Sequence, residues 1–298
     1  MRGVPPILHP VKAPESKVGT CIREVDGIAA PGWRAGLRLQ FSARDARTWL
    51  SRREHYGPLR VQRPFYPEPS GACHTYLVHP PGGIVGGDEL DIRVDVTTGA
   101  HALLTTPAAT KFYRSDGRVA RQVQQITLAA AALEWLPQET IFYPGAQARS
   151  STRIELGEGA KFIGWEIPCL GLPARGEYFD TGQLALDLEL WRGGQPVFVD
   201  RLRIDGASVS AGAKSDLAGH HAIGTLLAYP AEPALLALAR ETIGENANVA
   251  ATLVDGVLMC RALGSQAEQV RRIFVSLWQA IRPQLLGRPA VLPRIWAT

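Results

Sequence analysis

Sulfur is scarce in this 298-residue chain, which has four cysteines and two methionines. Cys21, Cys73, Cys169 and Cys260 are scattered with no CxxC pair, so neither a zinc knuckle nor a disulfide framework is expected and free thiols are the default. Also missing are a Gly-Lys-Ser/Thr phosphate loop, a GxGxxG turn and a GxSxG elbow, which leaves nucleotide binding and serine hydrolysis without a motif. His74 and His79 are five apart and His220 and His221 are adjacent, neither being the i, i+4 spacing that turns two imidazoles toward one zinc ion. No apolar run reaches the ~18 residues of a membrane helix. The first residues also lack the charged-then-apolar order of a secretion signal, so a cytoplasmic chain without a membrane anchor is the expectation. Nor does one sign of charge dominate: 32 Lys and Arg against 28 Asp and Glu leave a net +4, with the signs interleaved. That pattern suits an acidic protein partner better than nucleic acid.

What is present is enough apolar sequence, 46% against 20% charged, to bury a sizeable core. Residues 1–31 are rich in Pro, Gly and charge without periodicity and read as a mobile lead-in, and no polar linker divides residues 32–298, which read as one β-rich domain. Glu89 to Val96 alternates strictly, as do Leu184, Leu186, Leu188 and Leu190. Asp116-Gly117, Gly157-Glu158-Gly159, Arg192-Gly193-Gly194 and Asp255-Gly256 each join two such runs through a short loop. The expected fold is therefore mainly β, a large antiparallel meander of two-layer or β-helical type, with about two α-helices toward the C-terminus. Pro233 to Ile243 and, more strongly, Gln266 to Leu286 carry the helical period, and Gly287 supplies the stop. Nothing in the helical stripe or the strand edges fixes a homodimer, although a closed twofold assembly is compatible with both.

One block concentrates backbone constraint. HPPGGIVGGD at 79–88 removes two amide donors at Pro80 and Pro81 and frees the backbone at four glycines before delivering Asp88. A strand follows it, not a helix, so it lacks the helix N-terminus of a phosphate cradle. Cys73 beside His74 does not make a catalytic pair, because neighbours on a strand point to opposite faces; a packed thiol next to a surface imidazole is expected. Carboxylates near the bends, Asp88, Glu134, Glu139 and Glu177, keep one enzymatic alternative open: a β-rich hydrolase of glycosidase type using a pair among Asp88, Glu139 and Glu177.

Several blocks in order resemble the urease accessory protein UreD (UreH) family: GPLRVQRPFYPE at 57–68, HPPGGIVGGD at 79–88, TTPAATKFYRS at 105–115, LEWLPQETIF at 133–142, WEIPCLGLPARGE at 165–177 and PRIW at 293–296. The likeness covers most of the chain from Gly32 to Trp296. Two departures stand out, Ala108 where the family usually has Gly and Leu172 where it usually has Arg. The second removes any carboxylate contact that the Arg would make. The resemblance implies a maturation factor without turnover of its own, binding urease apoprotein, docking UreF and through it the GTPase UreG. It implies no catalytic cofactor, with nickel in transit only. Asp88 and Glu177 are the positions it suggests along a nickel route, and Lys111 a further interface or route position. Sparse carboxylates and carbonyls suit such a task, since they hold a divalent ion weakly enough to release it. A scaffold of this kind also carries exposed apolar surface, for which Phe65, Tyr66, Phe142 and Tyr143 are candidate anchors.

Overall fold

The computed structural model describes residues 32–210 and 217–297. The lead-in at 1–31 and Cys21 lie outside the described residues. Strands are numbered in chain order. One sheet runs in the order β16 (Gln195–Asp205), β15 (Gln183–Arg192), β11 (Gln147–Leu156), β8 (Ala120–Leu128), β5 (Glu89–Val96), β1 (Arg34–Arg44), β2 (Arg47–Tyr56). The other runs β3 (Arg60–Val61), β4 (Cys73–Val78), β6 (His101–Thr105), β9 (Ala132–Leu136), β12 (Lys161–Glu166), β17 (Ala222–Tyr229), β13 (Pro168–Leu172), β10 (Thr140–Phe142), β7 (Thr110–Phe112). To it are added β14 (Glu177–Tyr178) on β13, and β19 (Val257–Gly264) with β18 (Val249–Val254) on β17.

The fold is mainly β, and of the alternatives read from the sequence the two-layer, β-helical type is the one that forms. Between β4 and β15 the chain crosses repeatedly from one sheet to the other, and each return lays a strand parallel to its predecessor: β5, β8, β11 and β15 in the first sheet, β4, β6, β9 and β12 in the second, and β7, β10 and β13 in a short third ladder. The antiparallel meander is thereby corrected. Antiparallel pairing is found in hairpins such as β1–β2, β15–β16 and β18–β19, in the ladders that β3, β14 and β17 make, and at the Phe65–His74 bridge. The Gly193-Gly194 and Asp255-Gly256 loops are true hairpin turns, whereas Asp116-Gly117 and Gly157-Glu158-Gly159 carry the chain between sheets. A short glycine loop between alternating runs serves either purpose, because strand pairing is decided by where the runs bury their faces and not by the loop.

Parallel, in-register pairing stacks inward side chains in rows. Leu39, Val94, Ile126, Ile154 and Leu190 form one such row, and Phe41, Val96, Leu128 and Leu156 the next. These face the second sheet across an apolar core. A second core lies on the other face of that sheet, where α2 (Pro233–Ile243) and α3 (Ala267–Leu286) cover it with Val270, Phe274, Leu277, Trp278 and Ile281 fully buried. Both helices match the periodicity, and Gly287 ends α3 in the left-handed conformation (φ 67°), its amide donating to the Pro283 carbonyl. A short α1 (Gly206–Ser210) follows β16. No helix among the described residues is long and apolar enough to cross a membrane.

The helical core contains charge. Arg282 of α3, fully buried, donates from Nε to both Glu134 oxygens at 3.0 and 2.9 Å and from Nη2 to Glu68 at 2.7 Å, while its Nη1 reaches the Pro289 carbonyl. Glu134 also accepts from Trp278 Nε1 and pairs with His101, and Glu68 pairs with His74, each His to carboxylate distance being 2.7 Å. His74 is thus buried, not the surface imidazole expected beside Cys73. Burial alone would raise the Glu68 carboxyl, but His74, Arg282 and Ser70 outweigh it and hold it down to about 2. Glu134 is lowered for the same kind of reason, with His101 and Arg282 overcoming burial.

Removing Arg282 takes from two buried carboxylates the guanidinium they share. Arg282→Met is therefore expected to cost about 3–5 kcal/mol in urea unfolding, with most of the loss recovered when Glu68→Gln and Glu134→Gln are added. Because its folded pKa lies below the ordinary 4.5, Glu68 contributes stability that is full above about pH 4.5 and is lost as pH falls toward 2. Denaturant midpoints measured from pH 6 to about pH 2.5 should fall more steeply for the wild-type chain than for Glu68→Gln.

Candidate functional site

Two of the inward rows break their apolar pattern at the same place. The row of Ala35, Leu90 and Leu186 is interrupted by Gln122 and Ser150, and the row of Leu37, Ile92 and Leu188 by Gln124 and Thr152. Four adjacent polar side chains thus sit on β8 and β11 inside the sandwich, and three of them, Gln122, Gln124 and Ser150, line a cavity of about 320 Å³ between the sheets. Glu166, the last residue of β12, faces this patch from the opposite sheet. Thr152 Oγ1 contacts the Glu166 carboxyl and lies 2.6 Å from Gln124 Oε1. Burial pushes Glu166 up to about 7; the Thr152 hydrogen bond opposes this and the Asp200 charge adds to it.

The remaining wall is built from the blocks that stood out in the sequence. His79, Pro80, Gly82 and Gly83 come from the proline-glycine loop, and Thr106 to Lys111 from the TTPAATK segment. Trp135, Pro137 and Gln138 come from the LEWLPQ block, and Ile167 and Pro168 follow Glu166. The loop is tied down by close packing: a Cβ at Gly83 would lie 2.1 Å from the Tyr113 ring, and Gly87 has φ +91°. Asp88 is the other tie. Its two carboxyl oxygens accept the backbone amides of Trp33 at 2.8 Å and Val85 at 3.0 Å, which closes the loop on itself and fastens it to the start of β1. His79 is pushed down by burial, against the pull of the Asp88 charge.

The residues read from the sequence therefore fare differently. Lys111 lines the cavity, and Asp88 supports its loop from a buried position. Glu177 does neither: it is exposed on β14, where its cross-strand partner is Leu172. The Arg usual at position 172 would stand directly opposite that carboxylate, and here a leucine does. Ala108 lines the cavity and its φ is not positive, so a Cβ is accommodated there. Of the proposed hydrolase acids, Glu134 is held by Arg282 and His101, and neither Glu139 nor Glu177 lines the cavity. Among the described residues, the one carboxylate lining the cavity is Glu166, which the sequence reading passed over. A signal for the site was present: ARQVQQITL alternates, but its inward positions carry Gln122 and Gln124 where the neighbouring strand has Leu90 and Ile92.

Among the described residues, no three His, Cys, Asp or Glu side chains are grouped so as to hold a metal ion. Cys73, Cys169 and Cys260 are free and buried, each thiol pushed up by burial. Donors near the cavity are oxygens of a carboxyl, amides and hydroxyls with the one imidazole of His79, a set that meets a divalent ion without the tight grip of thiolates. Aromatic surface is mixed: Phe142 is buried on Phe112, while Phe65 is 39% exposed, and Trp33 and Tyr56 are more exposed still.

The family model for the UreD urease accessory protein matches residues 34–297. A "Urease accessory protein UreD" of Klebsiella aerogenes is 46% identical over 269 residues, covering 90% of this chain and 97% of that protein. Those of Escherichia coli and Citrobacter koseri are each 45% identical, over 279 and 269 residues, covering 91% and 90% of this chain and 99% and 92% of theirs. With the match running from the first described strand to the end of the C-terminal segment, the chain belongs to the UreD family of urease accessory proteins.

Proposed function

We propose that this chain is a non-catalytic scaffold for urease maturation in the cytoplasm. It holds urease apoprotein, recruits UreF and through it the GTPase UreG, and gives nickel an oxygen-lined path toward urease's buried dinickel site. Family membership supports the maturation role. The observation that carries the path is convergence: four separate sequence blocks, brought together by the coil, surround a cavity whose wall carries Gln122, Gln124, Ser150 and Glu166 inside an otherwise apolar sandwich. Folding alone gives no reason to keep Gln122, Gln124 and Glu166 there, since buried polar groups cost free energy that leucine would not.

Within this reading Asp88 keeps its loop in position beside the cavity and offers the remaining lone pairs of its carboxylate to a passing cation. Glu177 is a surface station, and Lys111 lines the path and tunes its charge. Nickel is cargo throughout, and its chemistry is loose oxygen coordination without redox change.

Omitting the chain from cells that express the urease subunits and the other accessory proteins should abolish nickel loading, measured as metal per urease and as ureolysis. Asp88→Ala should still copurify with the assembly but load several-fold less nickel. If omission leaves loading intact, the maturation reading is wrong; if Asp88→Ala loses assembly and loading together, Asp88 serves the loop alone. Leu172→Arg is expected to form a cross-strand ion pair with Glu177, lowering loading by under tenfold if Glu177 is a station and leaving it unchanged if it is not.

A further inference from the structure

Glu166 stands in the wall between two spaces. It lines the 320 Å³ cavity on one side and, on the other, a pocket of about 20 Å³ bordered by Asp200, Thr225 and Arg261. Pro168 and Leu186 border both spaces with it, and of the three only Glu166 carries an ionisable group.

The hydrogen-bonded oxygens share a limited supply of protons. Thr152 Oγ1 bonds to the Glu166 carboxyl and to Gln124 Oε1, and a hydroxyl brings one proton. With the amide in that orientation Thr152 donates to Gln124, so the bond to Glu166 needs a proton from the carboxyl itself. Were Glu166 ionised, Thr152 would turn its proton to the carboxylate and Gln124 would have to rotate to offer an amide N–H. The charge on Glu166 is thus coupled to the orientation of one hydroxyl and one amide.

The surroundings agree with a neutral acid. Facing Glu166 are Gln122 and Gln124 from β8, Ser150 and Thr152 from β11, Leu186 and Leu188 from β15, Asp200 from β16, Thr225 from β17 and Arg261 from β19. Arg261 is committed to Asp200 at 2.9 Å, and the other basic groups on the large cavity, Lys111 and His79, make no bond to Glu166. Among the described residues, no cation therefore pairs with Glu166 as Arg282 pairs with Glu134. The carboxyl's elevation to about 7, caused chiefly by burial, places its ionisation in the range where cellular pH can change it.

We propose that Glu166 is a proton-operated gate between the two inner spaces: while it holds its proton the passage is uncharged and rejects a divalent cation, and once the proton leaves to cavity water the carboxylate admits the ion. The inference rests on the reading that nickel crosses this interior. It adds that crossing is coupled to release of one proton and is controlled by pH. A cation entering a chamber with no counter-charge loses its hydration without replacement, which is the barrier that ionisation removes.

The test uses the full chain in its complex with apo-urease and the other accessory proteins. Difference infrared spectra between the wild type and Glu166→Gln, from pH 5.5 to 8.5, should reveal a protonated carboxyl band at the acid end that disappears as pH rises. Nickel ion loading, taken as the ratio to Glu166→Gln at each pH, should rise at least several-fold across the same midpoint. Asp200→Asn should move the midpoint down and Thr152→Val should move it up, each by roughly half a unit or more, because the first removes a raising charge and the second a lowering hydrogen bond. Glutamine mimics the neutral acid, so Glu166→Gln should fold; if it does not, the two midpoint shifts decide alone. Absence of the band at pH 5.5, or equal loading by Glu166→Gln at every pH in an intact complex, overturns the gate while leaving the maturation role in place. Loading that does not need the chain at all overturns the role itself.

Discussion

Parallel, in-register stacking is the constraint from which the rest of this structure follows. Each return of the chain to a sheet sets its inward residues beside those of the previous turn, so the character of one position is felt by the next. Apolar rows close into the core, as Leu39, Val94, Ile126, Ile154 and Leu190 do. Polar positions placed in neighbouring turns meet and satisfy one another, as Gln124 and Thr152 do at 2.6 Å. A single buried glutamine would be a cost without compensation; a two-by-two patch is a site. The same coil gathers loops distant in sequence at one end of the patch, which is how 79–83, 106–111 and 135–138 come to share a wall.

The molecule treats buried charge in two ways. In the helical core, Glu68 and Glu134 share Arg282, with His74, His101 and Trp278 completing their hydrogen bonds. That cluster joins α3 and the segment after it to β4, β6 and β9, and its carboxyls are lowered because every oxygen has a donor. In the inter-sheet cavity, Glu166 is half-buried and has one hydroxyl for company, and it is raised. Complete pairing fixes a fold; an acid left short of partners responds to protons and to cations. Helix and sandwich cores thus divide the work, the first holding the C-terminal segment and the second holding the cavity.

Much of this was legible from the residues. The alternation of Glu89 to Val96 and of Leu184 to Leu190, the helical periods of 233–243 and 266–286, and the stop at Gly287 all correspond to elements with the expected buried faces. Those features depend on neighbours a few positions away, where backbone geometry leaves few choices. The family blocks and their order were likewise plain in the linear sequence, and they identify the wall of the cavity.

What the sequence could not decide was which strand meets which. A short glycine loop permits either a hairpin or a crossing between sheets, and only burial of both faces selected the parallel coil. Asp88 reads from its loop as a free carboxylate, but Trp33, 55 residues away, spends one of its oxygens on the backbone. Glu177 and Leu172 became neighbours only through β13 and β14. Glu166 is an unremarked residue of a WEIP block until two strands bring Thr152 and Gln124 against it. Local spacing determined the elements because it is governed by the period of the backbone. Tertiary structure decided the site because hydrogen-bond supply and burial belong to groups that the chain keeps far apart until it folds.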